Sequence, residues 1–291
     1  MQTTTLGRTG LRVSRLVLGG YPFGGVNRAR GWDPWSEDGR RTAIATINAA
    51  LDAGITYLDT APSYGDGNSE TLIGEVMRHR RDDCVLATKV NWEGRDKAGT
   101  IDSVRASMKR LQTDRLDIVQ FHGGMYGPDD IEHIVSGGPL DGLLELKQRG
   151  EVGFIGVTAE EPWTARPFLQ RPEFDVFQLA YNLIYQNAAR HVLDEARQVD
   201  AGVVTMRTMT SGIFQRTAQL LVPEWQQARD IYEVCLKFVL ADSRVHAPIV
   251  GMRWPAEVAR NVALAESFSP EYDLAELPRM TAAVYRAEDA G

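Results

Sequence analysis

Two kinds of segment alternate along the chain. Short, near-continuous apolar runs rich in β-branched residues fall at Leu16–Leu18, Thr56–Leu58, Cys84–Thr88, Ile118–Phe121, Gly153–Val157, Val176–Leu179, Val203–Met206 and Pro248–Val250. Such runs suit strands buried on both faces, as parallel strands are. Between them, apolar residues recur at helical spacing: Ile44, Ile47 and Leu51; Ile101, Val104, Met108 and Leu111; Leu140, Leu143 and Leu144; Val192, Leu193 and Ala196; Ile231, Val234, Cys235 and Phe238. Each stripe gives a helix one face to lay on a sheet. Gly54 and Gly150 stand where two of these helices want a left-handed cap, and Thr100 and Asn187 where N-caps fall.

A strand before a helix, eight times over, predicts an α/β fold, the (β/α)8 TIM barrel, which takes about 250 residues. The surplus is local. Thr3–Thr5 and Leu11–Ser14 flank a Gly7-Arg8-Thr9-Gly10 turn, the pattern of an N-terminal β-hairpin. Residues 22–39, with Trp32 and Trp35, and residues 123–138, rich in glycine and acidic residues, read as long loops. A doubly wound open sheet is the competing architecture, but it wants a GxGxxG turn after its first strand. Leu18-Gly19-Gly20-Tyr21-Pro22 does not supply one, and Pro22 interrupts a following helix. No linker, low-complexity tract or short repeat divides the chain, so residues 1–291 read as a single domain.

Composition narrows the class. A chain of 291 residues, 43% of them hydrophobic, buries a large core without staples. Cys84 and Cys235 are its only cysteines, too few for a disulfide scaffold. No CxxC pair exists for zinc, and no metal site is expected. The net charge of −7, without a basic run, argues against a nucleic-acid or anionic-membrane surface. The start, Met1-Gln-Thr-Thr-Thr-Leu-Gly-Arg, has no apolar signal region, and no stretch approaches the ~18 apolar residues of a membrane span. A soluble, cytoplasmic protein is the expectation.

Reactive side chains of such barrels sit where strands end, on the C-terminal face. Asp59 ends the second predicted strand, with Tyr64 five residues on in Thr60-Ala61-Pro62-Ser63-Tyr64-Gly65. Lys89 ends the third and His122 the fourth. Neighbouring strands lie about 4.8 Å apart, so these four groups can meet. A buried Lys89 needs a partner, and Asp59 is one. A phenol titrates near 10, and a cation within about 4–6 Å lowers that value. His122 orients a substrate oxygen, or relays a proton if it becomes charged. Each residue also has an ordinary reading by itself: a helix cap, a loop aromatic, a surface lysine, a structural histidine. Together they make a tyrosine acid aimed at a carbonyl oxygen, and a hydride from a cofactor is the missing half of a reduction.

With these residues in view, the chain resembles the aldo-keto reductases. The likeness runs from Leu6-Gly7-Arg8-Thr9-Gly10-Leu11 to Asn261. Gly54-Ile55-Thr56-Tyr57-Leu58-Asp59-Thr60-Ala61-Pro62-Ser63-Tyr64-Gly65 is similar to the family signature, and Lys89 and Gln120-Phe121-His122 fall at the spacing of the other tetrad members. The resemblance implies a TIM barrel that binds a nicotinamide cofactor without a Rossmann domain, with NADP(H) preferred and NAD(H) the alternative. It implies Asp59, Tyr64, Lys89 and His122 as the catalytic set and a small carbonyl or alcohol as substrate. Gly20 and Tyr21 join the cofactor contacts, and Tyr21, Trp92 and His122 the substrate side.

The remaining cofactor positions follow the same resemblance. Thr158-Ala159 stands where relatives have Ser-Asn, so the hydroxyl toward the nicotinamide carboxamide is kept and the amide is lost. Gln178 matches a glutamine that reaches the same group. Met206 replaces an aromatic on the nicotinamide face. Arg207, with Ser211 and Gly212, lies toward the pyrophosphate, unless Arg207 pairs with a neighbouring carboxylate instead. Gly251, Arg253, Glu257 and Asn261 fall at the adenosine end, where Glu257 occupies a position often held by arginine. Trp32 and Trp35 either wall a pocket or pack loops on the rim, and Arg28, Arg30 and Arg40 read as a solvated face. Two other functions share these residues: an NADP(H)-binding regulatory subunit like the potassium-channel β-subunits, and a Schiff-base aldolase using Lys89.

Overall fold

A computed structural model of the protein describes residues 1–26, 31–221 and 231–268. Arg28 and Arg30, and the end of the expected domain beyond residue 268, lie outside them. Strands β1 (Thr3–Thr5) and β2 (Arg12–Ser14) form an antiparallel hairpin. Eight parallel strands follow: β3 (Val17–Gly19), β4 (Tyr57–Asp59), β5 (Val85–Val90), β6 (Leu116–Phe121), β7 (Val152–Ala159), β8 (Val176–Ala180), β9 (Gly202–Met206) and β10 (Ala247–Gly251). They pair in sequence order, and β10 closes on β3, giving the expected barrel. Closure leaves no open edge and brings residues more than two hundred positions apart onto neighbouring strands.

Side-chain alternation separates two cores. Val17, Tyr57, Ala87, Ile118, Val176, Val204 and Ile249 point inward and pack with Leu6 and Val13 of the hairpin segment, which thereby plugs one end of the cylinder. The residues between them, such as Leu18, Leu58, Leu86, Val119 and Val203, pack outward against the helices. That is why the strands read as continuous apolar runs: both faces are dry.

Five helices follow the predicted stripes, others have no counterpart among them, and two expected N-caps are displaced. Helix α1 (Glu37–Asp52) is N-capped by Ser36, and Gly54 beyond it takes the expected left-handed φ of 82°, as does Gly150 at 74°. Helix α2 (Asn68–Arg80) has no counterpart among those stripes, although Leu72, Ile73, Val76 and Met77 bury one of its faces. Helix α3 (Lys97–Leu111) is capped by Asp96, whose carboxylate accepts from Gly99 N at 2.8 Å; Thr100 lies inside the first turn and is buried. A carboxylate also complements the helix dipole better than a hydroxyl does. The expected loop 123–138 contains helix α4 (Pro128–Ser136), opened by Asp130 closing back on Gly127 N at 2.8 Å. Asn187 begins the short helix Asn187–His191 rather than capping it; its amide donates to Tyr185 Oη at 3.1 Å. No helix among the described residues is long and apolar enough to cross a membrane.

Candidate active site

Inward alternation continued by one more pleat carries polar groups to the C-terminal mouth. Two residues beyond Tyr57, Ala87, Ile118, Val176, Val204 and Ile249 come Asp59, Lys89, Gln120, Gln178, Met206 and Gly251. All but Gln120 line a cleft of about 630 Å³ at that mouth. Gln120 lies beneath it, fully buried. Tyr64 arrives from the turn after β4, which closes with Tyr64 N donating to Ala61 O at 3.1 Å. His122 is the residue after β6.

The four expected catalytic residues do come together. Lys89 Nζ donates to Asp59 Oδ2 at 2.8 Å and to Thr60 O at 2.8 Å. The ammonium also stands 4.9 Å from the centre of the Tyr64 ring. That ring meets the His122 ring edge to face at 5.9 Å, and the Tyr21 ring at 5.0 Å on another side. Lys89 is 1% exposed and Asp59 2%, so the charge pair is almost dry.

Burial decides the protonation states. Desolvation opposes the Lys89 charge, yet Asp59 and Tyr64 beside it raise its pKa above the ordinary lysine value. Desolvation also raises the Asp59 carboxyl, against the pull of Lys89. The two directions oppose each other for a single pair. The 2.8 Å contact, with a second acceptor on the ammonium, favours the ionised form, and the pair titrates as a unit. Tyr64 departs from the sequence expectation. Its pKa is raised, because desolvation outweighs the nearby ammonium, and Asp59 adds to the rise. The phenol thus keeps its proton near neutrality. Burial and the Lys89 charge push the His122 imidazole down to about 3, so it is neutral near pH 7. Its Nδ1 lies 3.3 Å from Ser63 Oγ.

Tyr21, Thr158, Arg207, Ser211, Gly212, Arg253, Glu257 and Asn261 also line the cleft. Two expected contacts do not. Gly20 is turned into the scaffold, where its N–H donates to Asp59 O at 2.7 Å and its carbonyl accepts from Ser69 Oγ at 2.8 Å; Gly19 lines the cleft in its place. Trp92 is buried against Tyr126 and His133, at centroid distances of 6.0 and 6.2 Å, and packs a loop instead of facing the cleft. Arg207 reaches Ser211 Oγ at 3.1 Å and is paired with Glu160 from the end of β7. Glu257 accepts from Arg253 N at 2.6 Å, which ties its carboxylate to the start of the helix Pro255–Glu266.

Sequence reasoning missed Gln120, Glu160, Ser63 and Arg260. Gln120 was recoverable, since a glutamine two residues beyond an inward Ile118 must face the barrel interior. Nothing local marks Glu160, whose partner is 47 residues away.

The cleft fits a nicotinamide dinucleotide by the chemistry of its donors. Gln178 Nε2 lies 3.9 Å from the Met206 sulfur, a weak acceptor that a carboxamide oxygen would better replace. Arg207 with Ser211 offers donors for a pyrophosphate at one side, and Asn261 an amide for a purine at the other.

Known proteins share sequence and fold with this chain. A sequence profile of the aldo/keto reductase family matches residues 15–224. Aldo-keto reductase YhdN of Bacillus subtilis (strain 168) is 33% identical over 207 residues, 68% of this chain and 59% of its own length. The chain therefore spans less than two thirds of that relative. L-galactose dehydrogenase of Arabidopsis thaliana is 27% identical over 296 residues, 90% of this chain and 88% of its own. Among solved structures, the holo form of aldo-keto reductase AKR11C1 from Bacillus halodurans superposes with a TM-score of 0.74 at 25% identity, covering 93% of this chain and 92% of that one. The fold is also shared with an aldo/keto reductase from Klebsiella pneumoniae solved with NADP and acetate, with a TM-score of 0.76, 22% identity, and 96% and 94% coverage.

Proposed function

The chain belongs to the aldo/keto reductase family, and from that premise we propose that it interconverts a small carbonyl compound and its alcohol, using NADP(H), within a single barrel domain. The observation that carries this reading is the Lys89–Asp59 pair with its ammonium over the Tyr64 ring, and His122 packed edge to face against that ring. Bound in the cleft, the cofactor supplies the hydride for the carbonyl carbon. Tyr64 gives its phenolic proton to the oxygen as negative charge builds there, and solvent later returns a proton to the phenolate. Lys89 stabilises that transient phenolate and Asp59 holds Lys89 in place. Neutral His122 orients the carbonyl oxygen. General acid catalysis and electrostatic stabilisation thus act on the same atom.

Gln178, Thr158, Met206, Arg207, Ser211, Gly212, Gly251, Arg253, Glu257 and Asn261 form the proposed cofactor contacts. Arg253 and Arg260 line the cleft near Glu257, whose carboxylate serves a backbone N–H. A guanidinium fork suits a 2′-phosphate, which supports NADP(H) over NAD(H). Titration of the protein with each cofactor, followed by a panel of aldehydes, ketones and sugars, tests the reading. Tighter binding of NADPH and its oxidation by at least one carbonyl is expected. Failure to bind either cofactor overturns it.

The pH profile is a further expectation. A raised Tyr64 pKa keeps the acid form populated to high pH, so kcat/KM for reduction should stay level through neutrality. It should fall only as pH rises through the phenol pKa, above the ordinary value near 10. With His122 at about 3, no limb belonging to that residue is expected between pH 5 and 8. A limb near pH 6.5 that vanishes in His122→Asn would contradict the neutral role.

A further inference from the structure

Beneath the cleft, Gln120 bridges two parts of the site that the strands otherwise keep separate. Its Nε2 lies 3.3 Å from Asp59 Oδ1 and 2.9 Å from Gln178 Oε1. An amide nitrogen carries two hydrogens, and here each has an acceptor. Its own Oε1 is buried without a partner. A glutamine that served only to fill space would be replaced there by methionine without that orphaned oxygen. The chemistry that justifies it is the pair of donors.

Those donors impose an order. Asp59, ionised beside Lys89, only accepts, so Gln120 must turn its nitrogen toward it. The second hydrogen then needs an acceptor, and Gln178 must present its oxygen to Gln120. With its oxygen on Gln120, Gln178 turns its Nε2 toward Asp59, the Met206 sulfur at 3.9 Å and the cleft. We propose that Gln120 is a positioning residue that transmits the charge of the Asp59–Lys89 pair into the orientation of the Gln178 amide, so that Gln178 enters the cleft as a hydrogen-bond donor. Without Gln120 the Gln178 oxygen loses its donor, and only the contact with Asp59 still favours the orientation in which Gln178 donates. This rests on the proposed cofactor reading of the cleft.

A double-mutant cycle tests it by binding alone. NADPH dissociation constants are measured by fluorescence for the wild type, Gln120→Met, Gln178→Met and the double variant, with a thermal melt of each. Both single variants are expected to bind about ten-fold more weakly. The double variant is expected to bind no more weakly than Gln178→Met, since Gln120 acts only through Gln178. Multiplying effects, or a Gln120→Met variant that binds like the wild type, would overturn the proposal. If Gln120→Met does not fold, Gln120→Leu takes its place in the same cycle with the same expectations. A wild type that binds no nicotinamide cofactor fails at the first measurement and removes the functional reading itself, a different result from a bound wild type with an additive cycle.

Discussion

Tyr64→Phe is expected to fold, to bind cofactor like the wild type, and to lose about 10²–10⁴-fold in kcat. The ring contacts are the reason for the first two expectations. Phenylalanine keeps the edge-to-face packing against Tyr21 and His122 and still sits under the Lys89 ammonium at 4.9 Å. Only the oxygen is lost, and with it the phenolic proton at the mouth. Neutral His122 is a poor substitute, because its imidazole holds no extra proton above about pH 3. Single-turnover kinetics at saturating cofactor separates this loss from binding. A kcat within a few-fold of the wild type would remove Tyr64 from the chemistry, whatever the binding data show.

Lys89→Met has the second largest expected effect, on stability as well as rate. The pair is dry, so removing the cation strands an ionised carboxylate whose remaining side-chain partners in the barrel are neutral amides, those of Gln120 and Gln178. Breaking such a pair costs about 3–5 kcal/mol, while replacing both partners by apolar or neutral groups can be close to neutral. Asp59 escapes by taking up a proton, since burial already raises its pKa. A carboxyl whose folded pKa is above its unfolded value favours the folded state at low pH, and that advantage is lost as pH rises through the folded value. The deficit of Lys89→Met relative to wild type should therefore grow from about pH 4 upward. Thermal melts of Lys89→Met and of Lys89→Met/Asp59→Asn across pH 4–8 check this. The double variant should recover much of the stability and none of the turnover. A Lys89→Met variant as stable as wild type at pH 8 would mean that the pair is not buried as described.

The barrel was legible because a strand buried on both faces writes its burial into adjacent residues. Each of the eight strands overlaps an apolar run in the sequence. The hairpin was legible for a similar reason, as a turn between short β-branched runs. Helix α4 was not, because its glycine- and acid-rich start looks like a loop until Asp130 closes on Gly127. Thr100 was mistaken for a cap because a hydroxyl inside a first turn and one just before it differ by a few positions, while the cap itself is Asp96. Trp92 lies three residues past Lys89, yet the chain turns there and its ring packs on Tyr126.

What the chain determined by itself is the order of the eight strands and the placing of Asp59, Tyr64, Lys89 and His122 at or just beyond strand ends. Periodicity is a property of neighbours, and neighbours are visible in a sequence. Only the closed barrel decided the rest: that burial outweighs the ammonium at Tyr64, that Glu160 pairs with Arg207, and that the Gln120 amide lies between Asp59 and Gln178. Each of these depends on how much water is excluded and on which distant side chain faces which. Both are set by the register and closure of eight strands.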